Sequence, residues 1–141
     1  MVASVVLNNN KILLIQQSDK SSSLLWNLPF STVEEGWGLS ETVIALTLSQ
    51  TGFNVKVLKL IKIQNYLNSR KEQNIKFVYL TEVINGSIQK NDLGTKDIQW
   101  ISLDEILQMP DDKLSDPIRL KTILYFVNEQ KFYPLELIKD L

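Results

Sequence analysis

The stretch Trp26–Val55, WNLPFSTVEEGWGLSETVIALTLSQTGFNV, decides how the rest of this chain is read. Ser40 stands where a helix cap would stand, Glu41 follows in the first turn, Leu39 and Ile44 have the spacing of a hydrophobic staple, and Gly52 is placed to end the helix. A helix over Glu41–Thr51 is therefore predicted, packed inward by Val43 and by Leu46 or Ile44. Before it, LWNLPF reads as an extended segment that Pro29 keeps out of helix.

Working outward, VASVVL and KILLIQQ are β-branched and leucine-rich runs separated by NNN, residues that tolerate the left-handed conformations of tight turns, so a hairpin is predicted. SDKSSS is a polar loop. After the helix, FNVKVLKLIKIQNYL and NIKFVYLTEVI read as two long antiparallel strands joined through NSRKEQ. NGSIQKNDLGTKD is a long polar loop, IQWISL a late strand, and Asp104 begins a short helix ended near Pro110. LSDPIRLKTILYFVNEQ carries Ser115 or Asp116 at its cap and Pro117 at its first position, with Ile118, Ile123, Phe126 and Val127 toward the core. Strands, helix, strands, helix, with no repeat or linker, predict one domain over residues 1–141 of α+β class, an α/β/α sandwich with a mixed sheet between helices.

Composition narrows the chemistry. The 141 residues include no cysteine and no histidine, which excludes disulfides, thiolate nucleophiles, Cys/His zinc sites and a histidine base; any metal would need oxygen ligands. The net charge of −1 is spread singly, against nucleic-acid binding. The N-terminal run is broken by its asparagines, against a signal peptide, and no apolar stretch reaches the length of a membrane span. The expectation is a soluble, cytoplasmic protein.

In order and spacing, KILLIQQ, WNLPF, TGFNV and DIQWISLDEIL resemble a Nudix hydrolase, whose signature is G-x5-E-x7-R-E-U-x-E-E-x-G-U with U apolar, usually preceded by W-x-L-P-G. The resemblance covers essentially the whole chain. Laid over that signature, Ser31 falls on the first glycine, Trp37 on the first glutamate, Ala45 on the arginine and Leu46 on the glutamate after it. Thr47 falls on the apolar position and Ser49 and Gln50 on the glutamate pair, while Gly52 and Phe53 match.

In active members, the resemblance implies, the helix glutamates hold magnesium ions that bridge a pyrophosphate while a polarised water attacks phosphorus. Positions 46, 49 and 50 are related as i, i+3 and i+4 and share one helix face, so three carboxylates there would form an oxygen cage. Leu46 offers no ligand, and Ser49 and Gln50 offer neutral oxygens. Phe30 and Ser31 stand where the family usually has two glycines that let backbone approach a phosphate. No metal or other cofactor is expected on this reading.

Two readings stay open for several residues. Glu34 is a leftover acid or base, or an exposed acid near a helix N-terminus, the commoner case. Trp37 stacks on a base or sugar, or plugs the emptied metal site together with Leu46, the reading preferred here. Asp92, Asp97 and Glu105 lie where active enzymes recruit a further carboxylate, although a loop aspartate is far more often a turn residue or cap. Phe30 and Trp37 are the candidate ligand-binding residues. Phe132, Tyr133 and Pro134 form a partner surface or pack the tail over the last helix, which is the commoner outcome. The preferred function is a catalytically silent Nudix domain that binds a nucleotide-like ligand or a protein partner. The alternative is a divalent-metal-dependent hydrolase of nucleoside diphosphate derivatives, with magnesium as the ion, using carboxylates such as Glu34, Glu41, Asp92 or Asp97.

Overall fold

The structure, a computed structural model, describes residues 1–18, 24–91 and 94–141. The predicted loop at SDKSSS and the candidate Asp92 fall largely or wholly outside the described residues. Asn9 and Asn10 adopt φ of 50° and 63°, closing a two-residue turn between β1 (Val2–Asn8) and β2 (Lys11–Ser18). Their pairing is short, with Leu7 opposite Ile12 and Asn8 opposite Lys11. Beyond that point the two strands part. β2 takes β3 (Leu24–Asn27) on one side and β7 (Thr95–Ser102) on the other, both antiparallel.

β1 runs parallel to β6 (Gln73–Gly86), from Val2 opposite Phe77 to Val6 opposite Thr81, and takes the two-residue β4 (Phe30–Ser31) antiparallel on its other side. β5 (Phe53–Leu67) lies antiparallel to β6 along most of its length, as expected. The path is β3-β2-β1-β6-β5, with β4 joined to β1 and β7 to β2. One parallel pair among antiparallel ones makes the sheet mixed; since parallel strands cannot be joined by a hairpin, the chain between β1 and β6 carries the crossover.

Two helices lie on opposite faces because neighbouring residues along a strand point to opposite sides. Val2, Leu60 and Tyr79 pack with Val43 and Leu46 of α1 (Leu39–Thr51). Their neighbours Ala3, Ile61, Val78 and Leu80 pack with Leu120, Ile123, Leu124 and Val127 of α3 (Pro117–Asn128). A third cluster, with Val6, Leu13, Ile15, Phe53, Val55 and Ile98, is closed by Trp100, whose ring meets Phe53 edge to face at 5.6 Å. No helix among the described residues is long and apolar enough to cross a membrane.

α1 departs from expectation at its start. Gly38, not Ser40, is the N-cap residue, and its neighbours supply no side-chain cap. The N–H groups of Leu39 and Ser40 donate instead to the Asp140 carboxylate, at 2.7 and 2.8 Å. Ile44, the expected staple partner, is 36% exposed and does not belong to the cluster under α1 that Leu39 joins. The buried face carries Thr42, Thr47 and Thr51 beside Val43 and Leu46, each hydroxyl donating to the carbonyl four residues back. Gly52 does end the helix, at φ 89°.

α2 (Leu103–Gln108) is capped by Ser102, whose Oγ accepts from Glu105 N. In α3, Asp116 stands at the N-cap position, but its carboxylate pairs with Arg119 at 2.8 Å rather than capping. Ile118, expected inside, is 79% exposed; the inward stripe runs through Leu120, Ile123, Leu124 and Val127.

Candidate functional site

β4, the loop after it and the outer face of α1 enclose a cleft of about 230 Å3. It is lined by Ser31, Trp37, Ala45, Leu46, Ser49 and Gln50, and also by Thr32, Glu34 and Thr42. The six positions where the signature has its first glycine or a charged residue therefore meet in one place. On α1 the reason is spacing: residues 42, 45, 46, 49 and 50 fall at intervals of three and four and make one stripe. Leu46, 5% exposed, forms the floor and reaches into the core cluster beneath α1.

Gln50 is held on both sides of its amide. Nε2 donates to Phe30 O at 2.7 Å, and Oε1 accepts from Phe30 N at 3.2 Å. The side chain thus does for β4 what a neighbouring strand would do, and fixes the loop entrance to α1. Phe30 itself faces away: its ring packs against the core cluster on the α3 side and lines a different hollow. The two candidate ligand-binding aromatics, Phe30 and Trp37, are therefore separated by the β4 backbone.

Trp37 is 41% exposed and lines the open cleft without filling it, contrary to the plug expected. Its backbone N–H donates to Glu34 O at 3.1 Å across a tight loop in which Gly36 takes φ 85°, so Glu34 and Trp37 are brought to the same rim. Ser31 turns its hydroxyl to the Thr32 carbonyl at 2.7 Å. Asp97 does not line the cleft; its carboxylate accepts from Ile98 N and from Gln99 Nε2, at 2.8 and 2.7 Å. Glu105 is an exposed residue of the first turn of α2. Among the described residues, no three acidic side chains converge.

Among the described residues, the cleft offers a ligand one carboxylate, a few hydroxyls and an amide already committed to backbone. Sequence reasoning found the lining but missed two residues that shape it. Gln50 as a backbone clamp had no local signal. Asp140, on which the start of α1 depends, lies a hundred residues downstream of its partners.

The NUDIX domain family model matches residues 1–121, and the chain belongs to the Nudix family. Nudix hydrolase 10 of Arabidopsis thaliana is 28% identical over 129 residues, covering 88% of this chain and 42% of that protein. The chain spans less than half the length of the curated relatives it matches. Among solved structures, a NUDIX hydrolase from Nitrosomonas europaea superposes with a TM-score of 0.88 at 22% identity, over 98% of this chain and 93% of that one. The NUDIX domain of Shewanella oneidensis NrtR, in a cocrystal with ADP ribose, superposes with a TM-score of 0.68 at 22% identity, over 92% and 86%.

Proposed function

We propose that this Nudix domain binds a nucleotide-like ligand or a protein partner in the cleft between β4 and α1 and does not hydrolyse it. The observation that carries the reading is the Gln50 amide, spent on both backbone groups of Phe30 at one of the metal-ligand positions of the signature. Magnesium takes hard oxygen ligands in near-octahedral geometry. Leu46 gives none, Ser49 gives a neutral hydroxyl, and among the described residues Glu34 is the one carboxylate lining the cleft. This set does not fit the ion. Loss of a single preorganised electrostatic element costs about 100- to 1,000-fold in rate, and residues that act as a unit are lost together.

Binding is supported by what remains. The cleft is open, a half-exposed indole stands at its rim, and an aromatic face of that kind stacks on a base or sugar. Near-neutral net charge fits a small ligand or protein better than nucleic acid.

ADP-ribose, the ligand of the NrtR domain, is the first probe. Calorimetry is expected to give the same dissociation constant in magnesium and in chelator, with Trp37→Ala weakening it. Phosphorus NMR with magnesium is expected to show no phosphomonoester accumulating. A chelator-sensitive release that survives repurification would overturn the silent reading.

A further inference from the structure

The cleft between β4 and α1 has a definite polarity. Among the described residues that line it none is lysine or arginine, and Glu34 is the one ionisable side chain. Glu35 and Glu41, exposed on the same loop and on the first turn of α1, add negative charge around it. An ionised phosphate accepts hydrogen bonds and needs a counter-charge. No side chain of the lining supplies that charge.

The hydrogen bonds already made by the lining sharpen the contrast. Ser31 Oγ donates to Thr32 O at 2.7 Å, and Thr42 Oγ1 donates to Gly38 O at 2.8 Å. A hydroxyl has a single proton, so these two oxygens offer a ligand lone pairs only. The Gln50 amide is held by the β4 backbone on both sides. The first N–H groups of α1, those of Leu39 and Ser40, already donate to the Asp140 carboxylate, which matches the positive end of the helix. The side chains of the cleft are left with acceptors, beside the half-exposed indole of Trp37.

A guanidinium group is the complement of such a surface. It carries five N–H donors in one plane, no acceptor and a permanent positive charge; its face stacks on an indole while its edge pairs with a carboxylate. An ammonium has the charge but lacks the planar face. The turn that ties the backbone of Trp37 to Glu34 sets an indole and a carboxylate on one rim, so both contacts are available to one group. A single carboxylate balances a single guanidinium, and the pair closes without a metal ion.

We propose that the cleft receives a guanidinium group, stacked on Trp37 and paired with Glu34, with the hydroxyl oxygens of the lining as further acceptors. The group arrives on a free guanidino compound or on an arginine side chain of a protein partner. The inference rests on the reading of this cleft as a binding site, and narrows its ligand by charge and hydrogen-bonding sense.

The test is an NMR titration in chelator at low ionic strength, read at the Trp37 indole N–H and at the backbone amides of Glu34 and Ser49. Four ligands are compared: ethylguanidinium, acetyl-arginine amide, acetyl-lysine amide and ADP-ribose. Saturable shifts are expected with at least one of the two guanidinium compounds, at a tighter constant than with the lysine amide or ADP-ribose, and weakening as salt screens the pair. The tighter of the two tells a free compound from a side chain carried on a peptide. Glu34→Gln is expected to weaken that constant about threefold, as the loss of an exposed ion pair does, and Trp37→Ala by about as much, for the lost stacking. Glu35→Gln makes the same change of charge one residue away, outside the lining, and is expected to leave the constant unmoved. No saturable shift with either guanidinium compound overturns the proposal, as does a lysine amide that binds equally well or a Glu34→Gln variant with the parent's constant. Shifts with ADP-ribose alone would sink the guanidinium and leave the cleft a binding site, whereas silence in every arm leaves neither reading standing.

Discussion

At the scale of the residue, Gln50 shows how the cleft's chemistry and its stability have been joined. Its amide satisfies a donor and an acceptor of the β4 backbone at once, which a carboxylate cannot do. Gln50→Glu sets an acceptor against the Phe30 carbonyl, and is expected to lose about 1–3 kcal/mol, the cost of a part-buried group left unmatched. Ser49→Glu, one residue away and exposed, should stay within about 0.5 kcal/mol of the parent. Urea denaturation of both variants decides it; equal midpoints would mean that the clamp contributes nothing. The triple variant Leu46→Glu, Ser49→Glu, Gln50→Glu asks a different question. Its three carboxylates would line one cleft, so repulsion and burial should make it less stable than the parent in chelator. Manganese should then raise its melting temperature, since an ion that binds the folded state alone stabilises it by mass action, and should leave the parent unmoved. A folded triple variant indifferent to manganese would show that these positions do not share a site.

At the scale of the element, α1 was legible at one end and hidden at the other. Gly52 announced itself because an αL terminus is a local demand on one residue. A Cβ there would meet the Ser87 carbonyl as well as strain the backbone, so Gly52→Ala should destabilise by more than about 1 kcal/mol. The start misled because the cap comes from Asp140, and a cap that distant leaves no trace in the neighbouring sequence. The buried face misled as well, since three threonines on it satisfy their hydroxyls within the helix and blur the apolar stripe that made Ile44 look inward. Asp140→Ala should cost about 1 kcal/mol, as N-cap losses do, seen as a lower urea midpoint. Burial pushes the Asp140 carboxyl up, but the N–H groups of Ser40, Leu39 and Leu141 and the Ser40 hydroxyl together hold it below its ordinary value. A depressed carboxyl stabilises the fold above its unfolded pKa of about 3.9, and that contribution is lost as pH falls through the folded value. The gap in urea midpoint between the parent and Asp140→Asn should therefore be constant near neutrality and narrow as pH drops below about 4; a gap that widened there would contradict the assignment.

At the scale of the whole molecule, the sheet and its two helices could be read from alternation and turn chemistry because each signal is local. The path of the C-terminal tail could not, because it ties the two faces together through partners far apart in the chain. After α3 ends at Asn128, Tyr133 exchanges both backbone hydrogen bonds with Leu60 on the edge of β5, at 2.9 and 2.8 Å. Leu135 and Ile138 then join the cluster under α1, and Asp140 meets its first turn. Burial, and after it the nearby Asp140 carboxylate, push the Tyr79 phenol in that cluster up to about 12. The tail therefore passes from the α3 face around an edge strand to the α1 face, and covers part of an edge that would otherwise stand open to pairing. Deleting residues 135–141 removes two apolar anchors and the cap together while leaving α3 and the β2–β7 pairing untouched. The expected result is a lower melting temperature with hydrogen exchange accelerated first at the N–H groups of Leu39, Ser40 and Thr42, and protection kept at Ile98 and Ile101 of β7. Because Trp37 and Thr42 line the cleft and lie beside that same first turn, Trp37 fluorescence should change with the deletion even where the protein remains folded. If the shortened protein keeps the parent's melting temperature and its protection at residues 39–42, the tail is not what holds the cleft's helix in place.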